Sequence, residues 1–265
     1  MIDTGTQRLL GDKDGAIGWM IFNHPERRNA LSIDMWQAMP TVLNAFEADP
    51  EVRVIVFKGA GDKAFISGAD ISQFGEHRDS KEANLAYSAH IAEATRAMTG
   101  LSKPSIAMIG GFCIGGGLAV ALTCDLRLCS DDSRFGIPAA RLGLGYGFEG
   151  LKVLADLVGP SYAKEILFTA RHFDAAEALR IGLVNRVVPR ADLEATVRAY
   201  AEQIGQNAPL TVKAAKLAVR EAMKDPDRRK LADVEAAVDA CFQSADYAEG
   251  RQAFMQKRKP LFRGE

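Results

Sequence analysis

The sequence lacks several features that would assign it to a special class of protein. Only four of its 265 residues are cysteines, and no two show the Cys-x-x-Cys spacing. The formal net charge is -1, which gives no electrostatic basis for binding nucleic acid or a membrane surface. No apolar run has the length needed to span a bilayer, and the first residues do not form a signal segment. We therefore expect a cytoplasmic protein whose cysteines are small buried residues in a reducing compartment.

Motifs for metals and nucleotides are also missing. The histidines have no metal-ligand spacing, and no Gly-Lys-Ser/Thr follows a glycine loop. The segment 145–150 fits Gly-x-Gly-x-x-Gly, but it does not directly follow a β-branched strand, and no strand ending in an acidic residue follows at the right interval. We expect neither a metal site nor a dinucleotide cofactor.

The apolar residues predict an α/β fold that is followed by helices. The chain is 48% hydrophobic and 25% charged, which is ordinary for a globular protein with a buried core. The expected strands that alternate with helices include 16–23, 53–58, 105–109 and 126–129. After Gly159-Pro160 helical periodicity dominates, with one brief strand over 184–188. We predict an α/β core over residues 1–190 and a helical region over 191–265.

Two segments of the first half have specific expectations. Ser32 is placed to cap a helix that runs to about Ala48, and Pro40 predicts a kink or an early restart within it. The segment 59–75 is expected to be a loop that ends in a short helical turn, followed by a helix over 81–100.

Two glycine-rich turns carry the main functional signal. Residues 64–71 (Ala-Phe-Ile-Ser-Gly-Ala-Asp-Ile) follow one apolar run, and residues 110–119 follow another, with a helix expected to open at Gly117. Glycine allows a positive φ and a close approach to a ligand. Two such turns side by side would direct main-chain N–H groups, and the positive end of a helix, at one oxygen that becomes negative during a reaction.

These turns and other segments resemble the crotonase (enoyl-CoA hydratase/isomerase) family, in family order along nearly the whole chain. The matching segments are Asn29-Ala30-Leu31, Ser67 to Ile71, Gly115-Gly116-Gly117, Cys124-Asp125-Leu126, Phe135-Gly136, Leu142-Gly143, Thr169-Ala170, Ala175 to Ala178, Gly182 to Asn185 and Phe254 to Pro260. The resemblance implies a spiral of ββα units with a helical C-terminal part that forms trimers, which commonly stack into hexamers. It also implies an acyl-CoA substrate and no separate cofactor.

The resemblance implies specific site residues as well. The N–H groups of Ala69 and Gly116 would form an oxyanion hole for the thioester carbonyl, whose oxygen becomes negative in the enolate. Arg27 and Arg28 also fit a solvated loop, and Lys257 also fits a solvated basic end. The residues expected to bind substrate or its CoA part are Arg27, Arg28, Ala30, Gly68, Asp70, Ile71, Gly117 and Lys257.

The sequence departs from the family pattern at the positions of the two hydratase glutamates. Ala119 and Ala139 occupy them. Addition of water to an enoyl thioester needs a base for the water and an acid for Cα, and alanine supplies neither. Standard hydration is therefore expected to be weak.

Two nearby residues are candidates for proton transfer. In the order of the family motifs, Glu149 is the carboxylate nearest to the two positions that alanine occupies. It also fits a first-turn glutamate that stabilises a helix. Tyr146 matches the tyrosine of methylmalonyl-CoA decarboxylases, but also fits an aromatic residue that lines the acyl pocket. Those decarboxylases have a histidine where Ala69 stands, so that match is incomplete.

The leading hypothesis is an enzyme that stabilises an acyl-CoA enolate. Double-bond isomerisation would need one base, which Glu149 would supply, and decarboxylation would need none. A CoA-binding pseudoenzyme is a further alternative. A serine hydrolase on a related fold would need a serine beside a histidine at the glycine turn, and neither Cys113 nor Ser67 has a histidine nearby in sequence.

Overall fold

Two sheets organise the computed structural model, which describes residues 1–73 and 80–265. Within those residues the larger sheet has the strand order β1-β2-β3-β5-β7-β10 and is parallel except for the β1–β2 pair. The smaller sheet has the order β4-β6-β8-β9. The strands are β1 (Leu9–Asp14), β2 (Ile17–Phe22), β3 (Val54–Gly59), β4 (Ala64–Ile66), β5 (Ser105–Ile109), β6 (Phe112–Ile114), β7 (Leu126–Ser130), β8 (Arg134–Gly136), β9 (Phe173–Asp174) and β10 (Arg186–Val188).

Helices surround the sheets and make up the end of the chain. They are α1 (Ile33–Ala48), α2 (Lys81–Gly100), α3 (Gly116–Thr123), α4 (Phe148–Thr169), α5 (Ala175–Arg180), α6 (Leu193–Gly205), α7 (Pro209–Ala222), α8 (Leu231–Gln243) and α9 (Ala245–Met255). In the described part of the chain, no helix combines the length and the apolar character that crossing a membrane requires.

The larger sheet separates two hydrophobic clusters because its side chains alternate between its faces. On β3, Val54 and Val56 pack into the cluster beneath α6, with Val197 of that helix. Ile55 and Phe57 point to the opposite face and join the main core. That core also contains α1 and the smaller sheet, so the smaller sheet is anchored on one face of the larger.

The α/β fold class with a helical C-terminal part is confirmed. The strands expected over 16–23, 53–58, 105–109 and 126–129 correspond to β2, β3, β5 and β7. Several strands were not predicted, namely β1 and the short strands of the smaller sheet. The segment 59–75 contains β4 and a helical turn at Ile71–Gln73, and its last two residues, 74 and 75, lie outside the described residues.

The two internal prolines behave differently. Helix α1 continues through Pro40 as one helix, so the expected restart is wrong. Buried Met39, Val42 and Leu43 hold this stretch against the core, which outweighs the missing hydrogen bond. Helix α4 breaks instead at Gly159, whose φ of 78° and ψ of 158° are not helical.

Candidate active site

Parallel pairing of β4 with β6 brings the two glycine turns together. Ala64 pairs with Phe112 and Ile66 with Cys113, so the carboxyl ends of both strands lie side by side. The turn after β4 contains Gly68, and the turn after β6 contains Gly115, both with positive φ. The expectation that the turns adjoin is therefore met by the pairing of two strands that the sequence analysis did not detect.

The N–H group of Ala69 is directed towards the second turn by its neighbours. Leu31 N–H donates to the carbonyl of Gly68 at 2.8 Å, and Asp70 N–H donates to the carbonyl of Leu31 at 2.9 Å. Successive N–H groups of an extended chain point to opposite sides, so that of Ala69 faces away from Leu31. A Cβ built on Gly116 would lie 3.7 Å from the Ala69 nitrogen.

Both N–H groups are available to a ligand. Neither Ala69 nor Gly116 donates its N–H to an acceptor within residues 1–73 and 80–265. Helix α3 begins at Gly116, one residue earlier than expected, so this N–H belongs to the first turn and has no helical acceptor. The positive end of the helix therefore lies at the same place as the two donors.

Gly117 has a packing role at this position. A Cβ there would overlap the carbonyl oxygen of Ile66 and come within 2.8 Å of the Ile66 Cβ. The missing side chain allows α3 to start directly against the end of β4. The structure thus explains this glycine by close packing, and its predicted contact with substrate stays a prediction.

The two alanines flank these turns without offering a proton-transfer group. Ala119 is exposed on α3, and Ala139 is buried in the helical turn Pro138–Leu142. A methyl group exchanges no proton, so any acid or base at this site comes from another residue.

Tyr146 faces the second glycine turn. Its hydroxyl lies 3.9 Å from where a Cβ on Gly115 would be, and Pro138 Cδ lies 4.0 Å from the same point. The side chain is half-buried, and this burial raises the pKa of the phenol because it disfavours the charged phenolate. A phenol of this kind is protonated at neutral pH and is suited to donate.

Glu149 and Lys257 lie at exposed helix ends. Glu149 is in the first turn of α4, and Lys257 follows α9 with a φ of 54°. Their side chains form no hydrogen bond or ion pair with the residues that the structure describes. Among the described residues, no hydrogen bond or ion pair joins either side chain to Ala69, Gly116 or Tyr146, and their predicted roles stay predictions.

Arg28 lines a cavity of about 260 Å³ at the start of β4. Its guanidinium lies 5.4 Å from the centre of the Phe112 ring, a cation–π contact that orients it. Lys63 lines the same cavity, whereas Arg27 does not. Lys63 was missed in the sequence, where its position just before the Ala64 motif is the only signal.

Asn29 fixes the segment that carries Arg28. It is fully buried with a φ of 57°, and its amide donates to the carbonyls of Ala60 and Ala64 at 2.9 and 2.8 Å. Its side-chain oxygen accepts from His24 N–H at 2.9 Å. These bonds tie the loop to the β3–β4 connection, so the role of Asn29 in this structure is positional. The neighbouring Ala30 is buried, and its predicted contact with substrate stays a prediction.

Asp70 and Ile71 stand at the exit of the first turn. The Asp70 carboxylate accepts from the N–H and hydroxyl of Ser72 at 3.1 and 2.6 Å, which caps the short helical turn. Ile71 is 55% exposed and therefore accessible to an apolar ligand.

The cysteines of the core are unsuited to nucleophilic chemistry. Burial raises the pKa of Cys113 well above the usual thiol range and raises the pKa values of Cys124 and Cys129 to about 12. Their thiols stay protonated at neutral pH, and the thiolate is the reactive form. This agrees with their interpretation as small buried residues and argues against Cys113 as a hydrolase nucleophile.

Comparisons with known proteins agree with this arrangement. The sequence model of the family described as enoyl-CoA hydratase/isomerase matches residues 12–265. The chain is 38% identical over 251 residues to the short-chain-enoyl-CoA hydratase of Clostridium acetobutylicum, with 95% of each protein covered. It is 35% identical over 256 residues to the crotonyl-CoA hydratase of Syntrophomonas wolfei, covering 97% of this chain and 98% of that protein.

A solved structure shows the same fold. The crystal structure of an enoyl-CoA hydratase/carnithine racemase from Magnetospirillum magneticum matches with a TM-score of 0.91 at 36% identity, covering 98% of this chain and 97% of that one. The turns after β4 and β6 thus belong to a fold shared along almost the entire chain. The chain is a member of the enoyl-CoA hydratase/isomerase family, within the crotonase superfamily, whose enzymes act on acyl-CoA thioesters.

Proposed function

We propose that this enzyme stabilises an acyl-CoA enolate between the N–H groups of Ala69 and Gly116. The observation that carries the proposal is the pair of adjacent donors, which lack acceptors within the described chain and stand at the start of α3. Such donors act mainly on charge that develops in the transition state. The thioester oxygen of an enolate carries such a charge.

Weak hydration is part of the same proposal. The relatives named above are hydratases, but the two alanines leave the glycine turns without carboxylates at positions 119 and 139. Water addition at Cβ requires removal of a proton from water as it attacks. Hydration of short 2-enoyl-CoA substrates is accordingly expected to be slow.

Decarboxylation of a malonyl-type thioester fits the remaining groups best. The bond between Cα and the carboxylate breaks, CO₂ leaves, and its electron pair becomes the enolate, so no base is required. The enolate Cα then takes a proton from the Tyr146 hydroxyl, and water returns a proton to the phenolate. The phenol is protonated at neutral pH, and an enolate carbon is a much stronger base than a phenolate, so this proton transfer is favourable.

The CoA part of the substrate is proposed to lie along the cavity beside Arg28 and Lys63. Both cations line it, and arginine and lysine are common partners of phosphate groups. The carboxylates of Glu26 and Asp62 also line the cavity. We place phosphate oxygens on the cationic side.

We also propose self-association through α8 and α9. None of the residues of α8 is buried, and large apolar side chains are exposed along both helices and the tail. An apolar surface of this kind is typical of a protein interface. These residues include Val238, Phe242, Phe254, Met255 and Leu261. Sedimentation equilibrium is expected to give a trimer or a dimer of trimers, and a monomer at micromolar concentration would contradict this.

The reaction is tested with a panel of thioesters analysed by mass spectrometry. Malonyl-, methylmalonyl-, 2-enoyl- and 3-enoyl-CoA compounds are each incubated with the enzyme. We expect loss of CO₂ from a malonyl-type substrate and little addition of water to the enoyl compounds. Rapid hydration, or a shifted double bond without decarboxylation, would contradict the assignment. Binding without any turnover would identify a pseudoenzyme.

The oxyanion hole is tested by Gly116→Pro. Proline is well tolerated at the first position of a helix and removes the N–H group in question. Loss of one donor should lower kcat about 10²–10³-fold. Gly116→Ala is the matched control, because it retains the N–H. Its Cβ would lie 3.3 Å from the flexible end of Leu31 and 3.7 Å from the Ala69 nitrogen, which is an ordinary contact distance. Equal activities of the two variants would rule out the donor.

A further inference from the structure

Another cavity, of about 270 Å³, lies between the end of α1, the start of α7 and the C-terminal tail. It shares no lining residue with the glycine turns or with the cavity beside Arg28. The function proposed above makes no use of it. Its lining is strongly biased in charge, with one carboxylate, Glu47, and four cations, which are Arg53, Lys103, Lys213 and Arg263.

The cations of this cavity lack anionic partners. None of the four forms an ion pair with a carboxylate in the described part of the chain. Lys103 is 5% exposed, and its Nζ donates only to main-chain carbonyls, those of Phe46 at 2.5 Å and Asp49 at 2.6 Å. The carboxylates of Glu47 and Asp49 lie near this ammonium but form no ion pair with it. Burying an ammonium that has no direct ion pair is costly, so a bound anion would stabilise this group.

The other cations add to the positive charge of the cavity. Among the residues that the structure describes, the guanidinium of Arg53 donates only to the carbonyls of Phe262 and Arg263, at 3.5 and 3.3 Å. The ammonium group of Lys213 forms no hydrogen bond within residues 1–73 and 80–265. Burial lowers the pKa of Lys103; the charges of Glu47 and Asp49 oppose this effect, and those of Lys213 and Arg53 add to it. The positive charges thus repel one another across the cavity.

Glu47 adds an acceptor that has no donor. Its Oε1 accepts from the N–H and hydroxyl of Ser102. Its Oε2 is buried and has no hydrogen-bond partner. An unsatisfied carboxylate oxygen beside unpaired cations fits a ligand that combines an anionic group with a hydroxyl donor.

We propose that this cavity binds a small phosphate ester that carries a free hydroxyl group. The phosphate is placed among Arg53, Lys213 and Arg263, with Lys103 behind them, and the hydroxyl donates to Glu47 Oε2. The cavity has room for a small organic part beside the phosphate. The site is separate from the acyl-CoA chemistry and does not depend on it.

Isothermal titration calorimetry with glycerol 3-phosphate tests the site at constant ionic strength. We expect saturable binding to the wild-type protein, weakened at least tenfold by Lys213→Gln and by Arg263→Gln. Lys164→Gln removes an exposed lysine of α4 and is the charge-matched control. It should leave the affinity unchanged, as should Arg28→Gln, which alters the other cavity.

Each result decides the proposal. No binding at millimolar concentrations overturns it, and so does binding that survives both Lys213→Gln and Arg263→Gln. Binding lost in Arg28→Gln alone would place the phosphate in the other cavity and also overturn it. If sulfate, which has no hydroxyl group to donate, bound as tightly as glycerol 3-phosphate, the proposed hydrogen bond from the ligand to Glu47 would be wrong. The thioester assays of Lys213→Gln are expected to match those of wild type, so failure here is distinguishable from failure of the enolate proposal.

Discussion

The phenol of Tyr146 lies beside Gly115, and its burial raises its pKa. A group that stays protonated at neutral pH can donate a proton to an enolate carbon but is a poor base. The carboxylate of Glu149 is exposed in the first turn of α4 and forms no hydrogen bond with the described residues. The difference in placement between these two residues favours the tyrosine as the acid.

Tyr146→Phe tests this assignment. The variant keeps the ring and loses the hydroxyl, so we expect kcat for the true substrate to fall about 10²-fold or more, with KM nearly unchanged. Steady-state kinetics and deuterium incorporation at Cα from heavy water measure the effect. Tyr162→Phe is the control, because that hydroxyl accepts from Arg180 at 2.7 Å and lines neither glycine turn. A Tyr146→Phe enzyme within twofold of wild type would show that protonation occurs by another route.

At the level of residues, what could be predicted from the sequence depended on local motifs. Ala69 and Gly116 stand within recognisable turns, and the alanines at 119 and 139 are visible as departures. The place of Lys63 in the cavity and the structural role of Asn29 depend on contacts across the fold. Asn29 bonds to Ala60 and Ala64, which lie 31 and 35 positions further along the chain. No local pattern specifies such partners.

Helix α5 follows the smaller sheet directly, and its start depends on one side chain. Asp174 accepts from Glu177 N–H at 2.8 Å and so satisfies one of the free donors of the first turn. The helix has only six residues, so a single cap stabilises a large share of it.

Asp174→Ala is therefore expected to lower the free energy of unfolding by about 1 kcal/mol. Chemical denaturation followed by circular dichroism measures the change. Asp192→Ala provides the comparison, because Asp192 precedes α6 but makes no side-chain cap bond. Equal losses in the two variants would mean that the cap bond of Asp174 contributes nothing specific.

Among the elements, both length and apolar content affected what the sequence revealed. The strands β3 and β5 show as apolar runs, whereas β4, β6, β8 and β9 have only two or three residues each. So few residues show no periodicity, and their pairing depends on the whole sheet. The six-residue β1 was missed because it ends in Gly-Asp-Lys-Asp and so has no apolar run. Proline did not predict where the helices break. Core packing keeps α1 intact through Pro40, whereas α4 breaks at Gly159.

The last residues of the chain link the C-terminal helices to the α/β part. Arg263 N–H and Gly264 N–H donate to the carboxylate of Asp246 at 2.7 and 2.8 Å. Arg53, which immediately precedes β3, donates to the carbonyl of Arg263 at 3.3 Å. The tail therefore contacts α9 at one side and the larger sheet at the other.

Glu249 holds the first part of this tail and makes it sensitive to pH. Its carboxylate accepts from the Arg258 guanidinium at 2.6 and 2.8 Å and from Leu261 N–H at 2.9 Å, and these bonds lower its pKa from 4.5 to about 2. A lowered pKa means that the stabilisation is complete above about pH 4.5 and is lost progressively as the pH falls towards 2.

Hydrogen exchange of the Leu261 amide measures this loss. We expect its protection to fall between pH 6 and pH 2.5, and Glu249→Gln to lower it already at neutral pH, where the rest of the protein stays folded. Glu235→Gln, on α8, changes a carboxylate without a hydrogen bond in the described chain and should have no effect. If the Leu261 amide of Glu249→Gln is as protected as in wild type at pH 7, the tail is held by Asp246 and Arg53 instead, and acid should release it only together with global unfolding.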